Sequence, residues 1–269
     1  MELSENATVS EAVDLPVSRV LGTSVHKATM SQVLNLVDSA IENHRQLRIG
    51  VVNAAKLSKM LEDDELALDV RSSDLVLADG MSVVWASKLL KDPLPERVAG
   101  IDIMHGVLER GQKTNRRVFL LGATEEISQT VEEKFKAMYP GVVIAGRRNG
   151  YFDESEEQGI AQMIKDSHAQ VLFVAMTSPK KERFMGKFGD FMNVNIVHGV
   201  GGSFDVVAGK VARAPVLWQK LGLEWLYRML QEPRRLTSRY MATNYAFTRH
   251  VLRQKFAKET FDNTNSTAS

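Results

Sequence analysis

Between residues 47 and 200, short and largely continuous apolar runs alternate with stretches whose apolar residues recur at helical spacing. The apolar runs fall at 47–52, 74–78, 117–121, 142–145, 171–176 and 195–200, with helical periodicity at 54–63, 80–90, 101–111, 127–138, 156–167 and 180–188. A strand that is apolar throughout, not at alternate positions, is buried on both faces. Strand and helix in regular alternation predict a mostly parallel sheet with helices on both faces. A short strand at 19–25 and a helix at 29–43, carrying Val33, Leu34, Leu36, Val37 and Ile41, precede this pattern.

The expected fold class is therefore α/β and Rossmann-like. After about Arg213 the strand signal stops, and Leu217, Trp218, Leu221, Leu223, Trp225, Leu226, Met229 and Leu230 form a broad apolar helical face interrupted by Pro233. This divides the chain into a flexible leader (1–16), an α/β domain (17–212), a helical appendage (213–258) and a disordered tail (259–269).

Composition removes several function classes. The formal net charge of +1 on 269 residues gives no global field for nucleic acid. The charge is uneven, since from Arg213 to Lys258 the basic residues face only Glu224 and Glu232. Cysteine is absent, which excludes disulfides, thiolate metal sites and thiol nucleophiles. The acidic, polar N-terminal stretch has no apolar core of a signal peptide, and no run approaches the ~20 apolar residues of a spanning helix. The expected location is cytoplasmic, soluble or peripheral on a membrane.

In sheets of this kind ligands bind beyond the carboxyl ends of the strands, so the residues following each strand are the site candidates. Asn53 and Asp79 stand there, and both residue types are also favoured helix caps. Asp79 is the only carboxylate between Leu75 and Lys88, in a turn suited to a general base acting on a hydroxyl. Arg97 and Asp102 flank the start of a helix and fit a phosphate or sugar contact. Gly122 with Thr124 suggests a nucleotide turn, but GxGxxG spacing is missing there and at Gly199, which disfavours NAD(P). Thr177 and Ser178 open a helix whose Lys181 can meet an anion. Gly199, Gly201 and Gly202 clear side chains from a strand end, so backbone N–H groups can approach a phosphate. Arg213, Arg228, Arg234, Arg235 and Arg239 supply planar forks that match phosphate oxygens. The histidines show no metal spacing and no Asp-x-Asp pair occurs, so no metal and no cofactor is expected. Trp218, Trp225 and Tyr227 beside Arg and Lys fit a helix at a membrane interface.

Taken in order, these motifs resemble the WecG/TagA/CpsF bacterial glycosyltransferases. The resemblance runs from about Ser18 to Tyr240 and rests on Asn53, Ala78-Asp79-Gly80, Arg97 to Asp102 and Gly150-Tyr151-Phe152. It continues through Ser178-Pro179-Lys180-Lys181-Glu182, Gly199 to Asp205 with Ala208-Gly209, Arg213-Ala214-Pro215, Gly222 to Arg228 and Glu232 to Arg235. The resemblance implies an inverting, metal-independent transfer of a hexose from a UDP-sugar to a polyprenyl-diphosphate-linked saccharide. The product would enter exopolysaccharide or cell-wall polymer, and the appendage would contact the inner face of the cytoplasmic membrane. By the same resemblance Asp79 is the base, Asn53 and Arg97 are pocket residues, and Arg228, Arg235 and Arg239 grip the diphosphate.

Three positions depart from the family pattern: Val51 for a Thr, Thr177 for a Gly and Lys181 for a Gln. They leave the donor open between UDP-N-acetylmannosamine, UDP-glucose and similar sugars. Two other readings stay open, an NAD(P)-dependent oxidoreductase on a Rossmann-like fold and a catalytically inactive UDP-sugar-binding protein. Self-association into a homo-oligomer is left open as well.

Overall fold

The computed structural model describes residues 13–266. Most of the leader, residues 1–12, lies outside the described part. The described chain opens with a hairpin, β1 (Val17–Val20) and β2 (Thr23–His26), where a single strand was expected. The turn between them places Leu21 at φ 50° and Gly22 at φ 74°. Two consecutive positive-φ residues make the tight reversal that matches strand twist, and the apolar Leu21 conceals it from a pattern reading.

There follow α1 (Met30–Glu42), β3 (Leu47–Val52), α2 (Ala54–Lys59), α3 (Asp64–Arg71), β4 (Leu75–Ala78), α4 (Met81–Leu89) and α5 (Gly100–Gly111). Next come β5 (Arg117–Gly122), α6 (Glu125–Met138), β6 (Val143–Arg148), α7 (Glu157–Asp166), β7 (Val171–Ala175), α8 (Lys180–Phe188), β8 (Ile196–Gly199) and α9 (Ser203–Ala208). The chain ends in α10 (Val216–Lys220), α11 (Glu224–Gln231) and α12 (Pro233–Ser266). The helix α3 has no counterpart in the sequence expectations. Asp63 caps it, accepting from the Leu66 N–H at 2.9 Å, and it buries Leu66, Ala67 and Val70.

β3 to β8 form one six-stranded sheet in the order β4-β3-β8-β7-β5-β6, and every pairing is parallel. The α/β expectation is met. Alternate residues of the strands feed opposite faces. Ile49, Leu77, Leu120 and Phe173 pack with Val37 of α1, Val107 of α5 and Phe135 of α6. Val52, Val76 and Ala78 pack with Leu57 of α2, Val70 of α3 and Val84 of α4. Phe247 and Val251 of α12 join that second cluster, so the last helix is seated on the α/β core. Gln254 adds to this seat by accepting from the Leu21 N–H and donating to the Arg19 carbonyl. α12 continues past Lys258 to Ser266, into the stretch expected to be a tail.

Candidate active site

The carboxyl ends of the central strands and the appendage, from Arg213 as far as Val251 of α12, line one large cavity of about 1950 Å³. That exceeds the ~300–1,000 Å³ of a typical single-ligand pocket. Its lining includes Asn53, Asp79, Arg97, Thr177, Ser178, Lys181, Gly199, Gly201, Gly202 and Arg228. Asp102 sits at its edge, bonded to Arg97 and Arg213, both of which line the cavity.

Asn53 caps α2: its Oδ1 accepts from the Lys56 N–H at 3.0 Å, and the residue still borders the cavity. Asp79 does not cap the helix that follows it, since Gly80 occupies that position with no side-chain bond. Its Oδ1 accepts instead from the Gly100 N–H at 2.9 Å, the first residue of α5. A helix N-terminus offers unpaired N–H groups and a positive dipole end, which favour a carboxylate. The other carboxylate oxygen has no partner among the described residues, so one oxygen is anchored and one is available.

Elsewhere in the lining the glycine turn meets two cations. The Lys181 stem runs beneath Gly199, where an added Cβ would lie 2.8 Å from its Cδ and Cε. A side chain at that crossing would force the lysine stem to shift. The Lys181 side chain is only 7% exposed, with Nζ 3.2 Å from Glu182 Oε1. Lys56 donates to the same oxygen at 2.9 Å and to the Val51 carbonyl at 2.7 Å. Burial, and secondarily the Lys56 charge, pulls the Lys181 ammonium down to about 8. Burial alone would push the Glu182 carboxyl up, but the two lysines outweigh it and hold it at about 2. Two ammoniums thus share one directly bonded carboxylate, with the Asp79 charge acting on Lys181 from farther off.

The second cation is Arg228, from α11. A Cβ on Gly202 would lie 3.6 Å from its guanidinium, so the fork lies over the glycine turn. Arg228 makes no ion pair among the described residues. The side chains of Arg235 and Arg239 lie outside the described residues.

Arg97 and Asp102 have a different environment from the one expected. Arg97 donates to Glu224 of α11 and, at 3.3 Å, to Asp102, which also accepts from Arg213. Two arginines and two carboxylates thus form a neutral cluster joining α5 to the appendage. These charges tie the roof of the cavity to its wall. Sequence reasoning passed over Glu224, although it is one of two acidic residues in a basic stretch. Lys56 was missed as well, and its only signal was a place one turn after Asn53.

Gly122 also has a structural reason. A Cβ there would lie 2.3 Å from the Ala175 carbonyl oxygen, so it serves the close contact of β5 with β7. Among the described residues no group of three or more His, Asp and Glu gathers as metal ligands. No helix among them is long and apolar enough to cross a membrane. Val216, Leu217, Leu221 and Leu230 are exposed on α10, α11 and the loop between them. A family model described as "Glycosyl transferase WecG/TagA/CpsF family" matches residues 18–260.

Proposed function

The chain belongs to the WecG/TagA/CpsF family of glycosyl transferases, and from that premise we propose that it transfers a hexose from a UDP-sugar to a polyprenyl-diphosphate-linked saccharide. The transfer inverts the anomeric centre, needs no metal ion and takes place on the inner surface of the cytoplasmic membrane. The observation that carries this reading is that Asp79, Lys181, Arg228 and the glycine turn all line one cavity.

A displacement at an anomeric carbon needs a base on one side and charge stabilisation on the other. The acceptor hydroxyl oxygen forms the new bond to carbon while Asp79 takes its proton. The bond from that carbon to the phosphate oxygen breaks, and its electron pair leaves with UDP. Arginine and lysine N–H donors at the glycine turn offset the charge that develops there. The cavity volume supports simultaneous occupancy by donor and acceptor, as direct transfer requires. Exposed Leu217, Leu221 and Leu230 supply apolar surface beside the cavity roof, in keeping with an acceptor anchored in lipid. Val51 and Lys181 both line the cavity, so the departures from the family pattern fall where they select the sugar.

The test is transfer to a short-chain diphospholipid-linked monosaccharide from a panel of UDP-sugars with EDTA present. Turnover with one donor, unaffected by EDTA and largely lost in Asp79→Asn, is expected. Donor binding without turnover from any UDP-sugar would overturn the reading in favour of a binding protein.

A further inference from the structure

His198, the third residue of β8, is completely buried and does not line the cavity, yet it bonds directly to the element that holds Asp79. Its two ring nitrogens face two backbone carbonyls. Nε2 is 3.0 Å from the Gly100 oxygen and Nδ1 is 3.3 Å from the Ile49 oxygen. Ile49 lies opposite His198 at the last paired position between β3 and β8. The imidazole therefore sits where the strand ladder ends and reaches across to the first turn of α5. Phe173 of β7 stacks edge-on against it at 6.2 Å.

Carbonyls only accept, and a neutral imidazole has one N–H, so one of the two contacts is a hydrogen bond and the other is not. Burial pushes the ring toward its neutral form, more than the two carbonyls hold it protonated. Nε2 makes the shorter contact, and with the proton there it donates to Gly100. Gly100 is then fixed on both sides: its carbonyl by His198 and its N–H by Asp79 Oδ1 at 2.9 Å.

We propose that His198 is a positioning residue for the transfer reaction, holding Gly100 at its carbonyl and, across that residue's Cα, the preceding peptide N–H that orients the Asp79 carboxylate. This rests on the reading of Asp79 as the base. A carboxylate held at one oxygen by one N–H follows that N–H, and a displacement of about 1 Å at a reacting group costs on the order of 100-fold in rate. The Nε2 contact, not the bulk of the ring, is what the chemistry requires.

Two substitutions separate these. Gln places an amide where Nε2 was, and Asn places one where Nδ1 was. His198→Gln is expected to keep kcat within about threefold of wild type, while His198→Asn loses up to about 100-fold in kcat with the donor KM unchanged. The loss should disappear when both proteins also carry Asp79→Asn, because the positioned group is gone. Equal kcat values for the Gln and Asn variants, with matching melting temperatures, would overturn the proposal. If Asp79→Asn alone leaves turnover intact, the base reading fails, and that outcome is distinct from equality of the two His198 variants. Should the Asn variant not fold, ¹⁵N shifts of the ring in wild-type protein decide. An Nε2-protonated ring supports the proposal, and an Nδ1-protonated neutral ring overturns it.

Discussion

Replacing Lys181 by Met should stabilise the protein at neutral pH while impairing its use of the donor. The ammonium is buried beside Glu182, and burial holds it at about 8, against 10.5 for a free lysine. The native state therefore carries a cost at pH 7 that the unfolded chain does not. At ~1.36 kcal/mol per pKa unit the cost is on the order of 3 kcal/mol. Removing one partner of a buried ion pair is normally harmful because the other is left alone. Here Glu182 keeps Lys56 at 2.9 Å, so the usual penalty is largely avoided. Met fills a similar volume, and because the lowered value already includes the Glu182 contact, it is imperfect repacking that should bring the net gain down to about 1–2 kcal/mol. The pH dependence has a definite sign. Between about 8 and 10.5 the unfolded chain binds the Lys181 proton and the native state does not, so wild-type stability rises with pH across that window. The advantage of the Met variant should be full at pH 7 and mostly gone by about pH 10. Thermal melts at both pH values measure this, alongside donor KM, which should rise about tenfold or more with loss of a charged contact. A Met variant less stable than wild type at pH 7, or a gain indifferent to pH, would refute the reasoning.

Asp79→Asn should lower kcat by roughly 10²- to 10⁴-fold, the usual worth of a general base. Its melting temperature should hold, because the Asn Oδ1 can still accept from the Gly100 N–H. Asn53→Ala should cost ~0.5–2 kcal/mol through loss of the α2 cap, read by denaturant titration. Ser in place of Leu217, Leu221 and Leu230 together should weaken flotation with anionic lipid vesicles and leave turnover on a short-chain acceptor unchanged. Equal flotation of the triple variant would remove these residues from membrane contact.

The sheet was legible because its strands are apolar on both faces, a pattern only doubly covered strands show. The hairpin was not, since Leu21-Gly22 interrupts no apolar run and its turn depends on backbone angles. Asp79 and the glycine turn could be found because they follow strands, and in this architecture that position faces the ligand. Lys56, Glu224 and His198 could not be weighed in the same way. Each acts through a residue distant in sequence: Lys56 through Glu182, Glu224 through Arg97, His198 through Gly100. A single sequence states residue types and spacing, not which charges meet across 126 or 127 positions.

The expectations for Arg97 and Asp102 show how pairing changes what a charged residue can do. Read alone, Arg97 is a fixed cation near the cavity and a natural phosphate contact. In the fold it is joined with Arg213, Asp102 and Glu224 in a cluster whose formal charges cancel. Cancelling charges draw an anion less strongly than a lone arginine does, although Arg213 lines the cavity with its Nε left without a hydrogen-bond partner. Lys180 and Lys210 line the cavity without an ion pair among the described residues, as does Arg228; Lys181, like Arg228, packs against the turn's glycines and shares Glu182 with Lys56. Arg228 and Lys181 both lie at the glycine turn. In the transfer proposed above, the diphosphate would lie toward these two cations and the acceptor hydroxyl toward Asp79. The cluster has a different task, because Glu224 and Arg228 share α11 one turn apart. Whatever holds Glu224 against Arg97 also holds Arg228 over Gly202, so in the proposed transfer the cluster would help to set the position of Arg228.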